Sequence, residues 1–368
     1  MTDDFETKRN VVSTMKETDK KCPSCGGVMD FDPTSAGLKC PFCGHSQELP
    51  QVGSSSEAAA AEEQDFESAE QTGNHDWGKA TKTVVCQSCA AESIYDTLSV
   101  ASTCPYCGSN QVMEVHGEDT LAPGGVCPFK IDKKSAGSRF TKWLDGKLFC
   151  PSKAKQQAKP EAFQGVYLPY WTFDANTSSR YTGRYGYRRE RTGKDGKKES
   201  YIEWHDTSGW HEEFINDELV MGTDRYNAGI LMQIEPFDTE NNVAYKPEYL
   251  AGFTAERYSI GLKDAWEKAK DFIRKKLTGN VREKIRKNNH ADKAEVNSLS
   301  TTYANITYKY LMLPVWISAF KYNGKTYQFM VNGQSGKVGG KSPISALRVT
   351  IAVIIALIAI GVIAYLAQ

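Results

Sequence analysis

Apolar and polar positions divide this chain into regions with different periods. Val349 to Ala367 is a run of nineteen residues without a charge, built mainly from Ile, Ala, Val and Leu. At a rise of 1.5 Å per residue such a run reaches roughly 29 Å as a helix, close to the hydrocarbon thickness of a bilayer. A buried core helix normally keeps a polar stripe, and this run has none. It predicts one transmembrane helix over 345–367, a tail anchor with only Gln368 beyond it. Upstream, from about Thr120 to Pro343, two stretches carry the period of an amphipathic helix. Lys133 to Leu148 places Ala136, Phe140, Trp143 and Leu144 on one face. Leu262 to Leu277 does the same with Ala265, Trp266, Ala269, Phe272, Ile273 and Leu277.

Between these helices the pattern turns aromatic and β-branched. Strands are predicted in Tyr181 to Arg191, Glu199 to Asp206, Val296 to Tyr310, Val315 to Tyr322 and Lys325 to Val331. Asn323-Gly324, between the last two, is the dipeptide a type I′ hairpin prefers. Tyr167-Leu168-Pro169-Tyr170-Trp171 recurs 145 residues later as Met312-Leu313-Pro314-Val315-Trp316. Pro at the head of a strand costs no ladder bond, and Trp two positions later shares its face, so both copies read as core packing. The fold class is α+β, with a domain at 120–343 built on an internal β repeat.

The N-terminal third follows neither period, and its information lies in cysteines. Cys22-Pro23-Ser24-Cys25, fourteen residues, then Cys40-Pro41-Phe42-Cys43-Gly44 is matched by Cys86-Gln87-Ser88-Cys89, fourteen residues, then Cys104-Pro105-Tyr106-Cys107-Gly108. In a C-x-x-C knuckle backbone N–H groups point at sulfur, and a Gly after the second Cys, present in three of the four, permits the tight turn. Two knuckles brought together supply four thiolates in the geometry zinc takes. Two structural Zn2+ sites are expected, in ribbons at 21–49 and 81–113. A 22-residue unit cannot bury enough apolar surface to fold alone, so metal binding must supply its folding energy. Phe42 and Tyr106 are expected to pack on their own hairpins. His45 reads as a surface residue, and Cys127 and Cys150 as incidental thiols.

The chain has 45 basic and 45 acidic residues and a mean hydropathy of −0.50, but charge is segregated. Both ribbons are net acidic, which favours protein docking over nucleic acid. Gln51 to Asp76 holds seven acids and no base, predicting a self-repelling flexible spacer over 50–80 that lets the first ribbon move independently. Residues 1–20 are expected to be disordered. Basic residues gather at Arg184 to Lys198 and Lys268 to Lys287, faces that solvent or anionic headgroups can cover. No secretory signal opens the chain. Lys325, Lys337, Lys341 and Arg348 precede the anchor without an acid among them, as expected on the cytoplasmic side.

Catalytic patterns fail. His211-Glu212-Glu213-Phe214-Ile215 lacks the second His of a metalloprotease motif, and Gly336 to Ser342 is one residue short of a phosphate loop. No G-x-S-x-G occurs, so no enzyme is expected.

The motifs C-P-x-C-G, Cys127-Pro128-Phe129-Lys130-Ile131-Asp132, Lys142-Trp143-Leu144, Gly165 to Asp174 and Val331 to Val338 resemble a bacterial family of zinc-ribbon membrane proteins. Its members are often labelled TFIIB-type zinc-ribbon proteins or primosomal protein N′ (replication factor Y) superfamily II helicase. The resemblance covers most of Lys21 to Pro343. It implies an adaptor that brings SPFH-domain and phage-shock protein A homologues to the cytoplasmic face of the cell membrane in envelope stress. The helicase label implies a motor, and no intact Walker motif is present. The expected function is a tail-anchored adaptor, with a nucleic-acid-binding accessory of replication or transcription as the alternative.

Overall fold

The computed structural model describes residues 21–49, 60–69, 81–86, 92–96, 112–115, 121–158, 163–192 and 198–366. Its spine is a pair of very long antiparallel strands, β9 (Gln164–Thr192) and β13 (Lys293–Tyr322). The two copies of the Leu-Pro-x-Trp repeat lie side by side in this ladder, with Leu168 directly opposite Leu313. Equivalent positions therefore face each other, and the repeat is a pseudo-two-fold arrangement about that pair. Its surroundings obey the same relation. On the outer edge of β9, β12 (Thr254–Glu256) runs parallel at Val166 and Tyr167, followed by antiparallel β10 (Lys198–Met221). On the outer edge of β13, β8 (Gly125–Val126) runs parallel at Leu311 and Met312, followed by antiparallel β14 (Lys325–Asn332).

Each short parallel strand leads into a helix through an aromatic-x-Ile segment. Phe129-Lys130-Ile131 precedes α1 (Lys133–Asp145), and Tyr258-Ser259-Ile260 precedes α4 (Leu262–Asn288). The tryptophan indoles close the relation crosswise: Trp171 Nε1 donates to Ile260 O and Trp316 Nε1 to Ile131 O, both at 2.9 Å. Tyr258 packs on Trp171 and Phe129 on Trp316. Each half thus holds the other half's helix entry.

Alternation along the spine buries both faces. Tyr167, Trp171, Phe173, Tyr308, Tyr310, Met312 and Trp316 join the larger core under α1 and α4. Leu168, Tyr170, Leu313, Val315 and Ile317 meet Ile230, Leu231 and Ile234 of α3 (Ala228–Ile234) on the opposite side. Burial on both faces explains the unbroken apolar run, which carries no period-two signal. The two predicted helices form. α1 stops at Gly146, short of Leu148, while α4 continues well past Leu277 because Val281 and Ile285 extend its buried stripe onto Tyr181 and Ala294. Asn323 and Gly324 make the expected hairpin with φ of 49° and 75°.

Beyond the core, β9, β10 and β13 continue as a three-stranded arm with α4 along one face. At the arm's root both flanking strands carry bulges, at Ile215/Glu218 and Ala304/Thr307, facing the same stretch of β9. Asp217 and Asn305 sit there at φ of 49° and 50°.

The spacer departs from expectation. Residues 60–69 are packed on the body: β4 (Gln64–Asp65) pairs with Thr307 and Tyr308 of β13, and Phe66 packs on Phe173 and Trp266. Lys309 Nζ lies 2.5 Å from Glu63 and 2.8 Å from Asp217. Counting charge missed this, because one aromatic and one partly buried counter-ion suffice to seat the segment. The rest of the acidic run and residues 1–20 lie outside the described residues. Ribbon 1 is not independent either. Its sheet, β1 (Asp30–Asp32), β2 (Gly37–Lys39) and β3 (Ser46–Glu48), docks on a 3-10 turn at Pro247–Leu250. Phe31 N–H donates to Ala251 O, and the Phe31 ring packs on Tyr249 and Phe253. In and just beyond the span expected for ribbon 2, β5 (Thr81–Cys86), β6 (Glu92–Asp96) and β7 (Val112–Val115) form a sheet that joins the spine through β6 and β12.

Trp171→Phe and Trp316→Phe each strand a buried carbonyl, and each should cost about 1–3 kcal/mol in urea unfolding. The two losses should be similar because the environments are related. Lys309→Met should speed amide exchange across residues 60–69. Burial would lower the Lys309 pKa, but Asp217 and Glu63 raise it. The pair's contribution is therefore complete below about pH 10 and fades as pH rises through the elevated value.

Candidate metal centre and membrane helix

Cys22, Cys25, Cys40 and Cys43 come together with all four sulfurs within 4.8 Å of one another. Cys22 Sγ lies 3.4 Å from Cys43 Sγ, and Cys25 Sγ 3.5 Å from Cys40 Sγ. A metal held at about 2.3 Å from four sulfurs in a tetrahedron needs sulfur–sulfur edges of about 3.8 Å, so this cluster can hold a metal ion with little movement. The knuckles have the expected form. Gly26 and Gly44 adopt φ of 72° and 76°, each donating its N–H to the carbonyl of the knuckle's first cysteine. Burial opposes ionisation of Cys22, yet the amides of Ser24 and Cys25 point at its sulfur and lower its pKa to about 6. Cys43 accepts from the His45 amide but is pushed up to about 12 by its hydrogen bonds with the Cys22 and Cys25 thiols. Burial likewise opposes ionisation of Cys40, but the amides of Cys43 and Phe42 lower its pKa, so ionisation is favoured at Cys22 and Cys40 before metal arrives and a cation must draw off the remaining protons.

His45 is half-buried, with its Nδ1 3.1 Å from Ser24 Oγ, and is not one of the clustered thiol ligands. Phe42 does not fold under its hairpin. Its ring leans over Gly27, where a Cβ would meet it at 2.6 Å, and the side chain stays 77% exposed. Of the second quartet, Cys86 ends β5, paired through its backbone with Val112; Cys89, Cys104 and Cys107 lie outside the described residues. Among the described residues one four-cysteine cluster is assembled. Cys127 and Cys150 are both buried, and desolvation pushes the Cys127 thiol up to about 12.

A second group of acids, Glu63, Asp174 and Asp217, also converges. Here Lys309 supplies the positive charge, and Asp174 Oδ1 accepts the Asp217 N–H at 2.7 Å. Sequence reasoning missed this cluster because its members come from the spacer, the spine and both bulged strands. The near-motifs resolve as structure. His211 and Glu213 share one face of strand β10, Nε2 to Oε2 at 2.9 Å, where a zinc protease needs a helix. Asn332 organises the Val331 to Val338 turn: its Nδ2 donates to Ile234 O, and its Oδ1 accepts from Gln334 and Ser335.

α5 (Ala346–Leu366) is long and apolar enough to cross a membrane, and none of its apolar stretch is buried in the protein. The basic arm is less charged in effect than in sequence. Arg184, Arg189, Arg191 and Lys198 face Glu295, Glu203, Glu199 and Glu190 at 2.7 to 3.5 Å. The arm also leads away from α5. β15 (Val338–Gly340), just before α5, pairs with β14, which lies opposite the part of β13 facing the start of β9. The tip at Thr192 is separated from that level by roughly 90 Å of strand contour.

No family model and no solved structure matches the chain. It is 27% identical over 348 residues to the uncharacterized protein YdjG of Bacillus subtilis (strain 168), covering 89% of this chain and 91% of that protein. The likeness therefore extends over most of both chains.

A chelator strong enough to strip the cluster should expose Cys22, Cys25, Cys40 and Cys43 to a maleimide, while Cys127 and Cys150 stay protected until global unfolding. Metal should be retained at neutral pH and lost on acidification, as protons compete for the four thiolates. Metal analysis across a pH series and peptide mapping of the labelled chain check both.

Proposed function

We propose that this protein is a membrane-tethered, non-catalytic adaptor whose zinc-bound ribbons capture a protein partner beside the bilayer. Four thiolates at tetrahedral spacing suit zinc, and the repeated cysteine spacing extends the reading to a second ion in ribbon 2. α5 spans the membrane, with Lys325, Lys337, Lys341 and Arg348 on the cytoplasmic side. The observation that carries the docking role is Phe42: an exposed aromatic ring on a metal-stiffened knuckle of an acidic ribbon. Exposed aromatic side chains held on a rigid support are the residues that dominate protein interfaces. By resemblance, the partner class is an SPFH-domain protein or a phage-shock protein A homologue. Nucleic-acid binding carries less weight, since Arg184, Arg189 and Arg191 of the arm are bonded to glutamates and the ribbons are acidic.

Crosslinking in native membranes, followed by purification of the detergent-solubilised chain, tests this. Phe42→Ala leaves every thiol in place and should lower partner recovery about tenfold or more, the scale of an interface aromatic worth about 2 kcal/mol. Cys25→Ser should abolish it. Recovery equal to that of the unaltered chain in both variants would sink the proposal.

A further inference from the structure

The turn between α1 and α2 (Ser152–Gln157) carries two apolar side chains in the open: Leu148 is 79% and Phe149 42% exposed. Ile344 and Leu347, at the start of α5, are 72% and 70% exposed. These four belong to one place in the fold. Ser345 N–H donates to Phe149 O at 2.8 Å. Arg348, in the first turn of α5, forks onto the same turn: Nη1 donates to Leu148 O at 3.0 Å and Cys150 O at 2.6 Å, and Nη2 to Ser152 Oγ at 2.7 Å. Wherever the entry of α5 lies, Leu148 and Phe149 are held beside it.

The charges around this patch are mostly of one sign. Lys142, Lys153 and Lys341 are exposed, Lys147 lies 4.5 Å from the Trp143 ring centroid, and Lys155 donates to Asp145 O. Asp145 is the acid among them. Apolar tips ringed by lysines and a half-buried tryptophan form the composition that partitions to a headgroup boundary.

We propose that the Lys147–Phe149 turn is a second membrane contact. Leu148 and Phe149 enter the headgroup–acyl boundary next to α5, and the surrounding lysines meet anionic lipid headgroups. The inference rests on α5 spanning the bilayer and deepens that reading: the body is fixed in its tilt by two contacts and the Arg348 fork between them. A single span would leave it free to swivel. Basic residues near an anionic surface contribute about 1 kcal/mol each. The contact should therefore strengthen with anionic lipid.

The test uses the full chain in phosphatidylcholine vesicles, with and without phosphatidylglycerol. The photoreactive residue benzoylphenylalanine replaces Phe149, Ile358 or, on the arm, Trp210. After illumination, mass spectrometry should find a mass gain of one lipid at 149 and 358 and none at 210, with the yield at 149 higher when phosphatidylglycerol is present. Lipid adducts at 358 but none at 149 overturn the second contact and leave the span intact. No adduct at 358 overturns the span and this proposal together. Protein adducts at 149, or lipid adducts at 210 equal to those at 149, also overturn it. Leu148→benzoylphenylalanine repeats the reading at the more exposed site should the Phe149 variant fold poorly.

Discussion

Leu168 faces Leu313 across the β9–β13 ladder, and the arrangement of every other described element is referred to that pair. A one-residue slip in this register would turn Trp171 and Trp316 away from Ile260 and Ile131 and send two apolar sets to the wrong faces. It would also displace β8 and β12, which reach the spine at related positions, and with them the entries of α1 and α4. Even the base of α5 depends on it, because β15 hangs on β14 and β14 on β13. The pairing of a strand with its own repeat is what makes the body one core.

Electrostatics are subordinate to that frame. A region described by its sign alone, acidic spacer or basic arm, turns out to be answered locally at part of its charges. Glu63 is met by Lys309, and the arginines of the arm by glutamates one strand away. Exposed pairs of this kind contribute little stability each. Their role here is to offset Arg184, Arg189, Arg191 and Lys198 one strand away.

The parts legible in the sequence were those carried by local chemistry. The thiol knuckles, the glycines after them, the Asn323-Gly324 turn, both amphipathic helices and the apolar run of α5 each follow from neighbouring residues. The Leu-Pro-x-Trp repeat was also visible, but its meaning was not: no local property says that two copies 145 residues apart lie face to face. The matching signal, an aromatic-x-Ile segment two residues before each helix, becomes readable only once the indoles are seen to bond those isoleucine carbonyls. The seating of residues 60–69 was hidden for a related reason, since Phe66 stands alone among acids and its pocket is built from β9 and α4. Phe42 ran the other way. An aromatic residue in a small ribbon is expected to pack, yet bare Gly27 lets it lie outward.

The paired bulges at the root of the arm have a mechanical consequence. β9 and β13 pass from body to arm as unbroken strands, so no loop serves as a pivot and load applied at the tip travels as shear along the ladder. Bulges loosen pairing and add twist; β13 carries another farther out at Val296/Ser298, but at the root both edges of β9 are loosened at one level. Segment 60–69 crosses at this section, with Phe66 wedged against β9 and Glu63 tied through Lys309 toward Asp217. The same stretch of chain that tethers the first ribbon therefore also braces the ladder, and tension on that tether bears on the section where both edges of β9 are loosened.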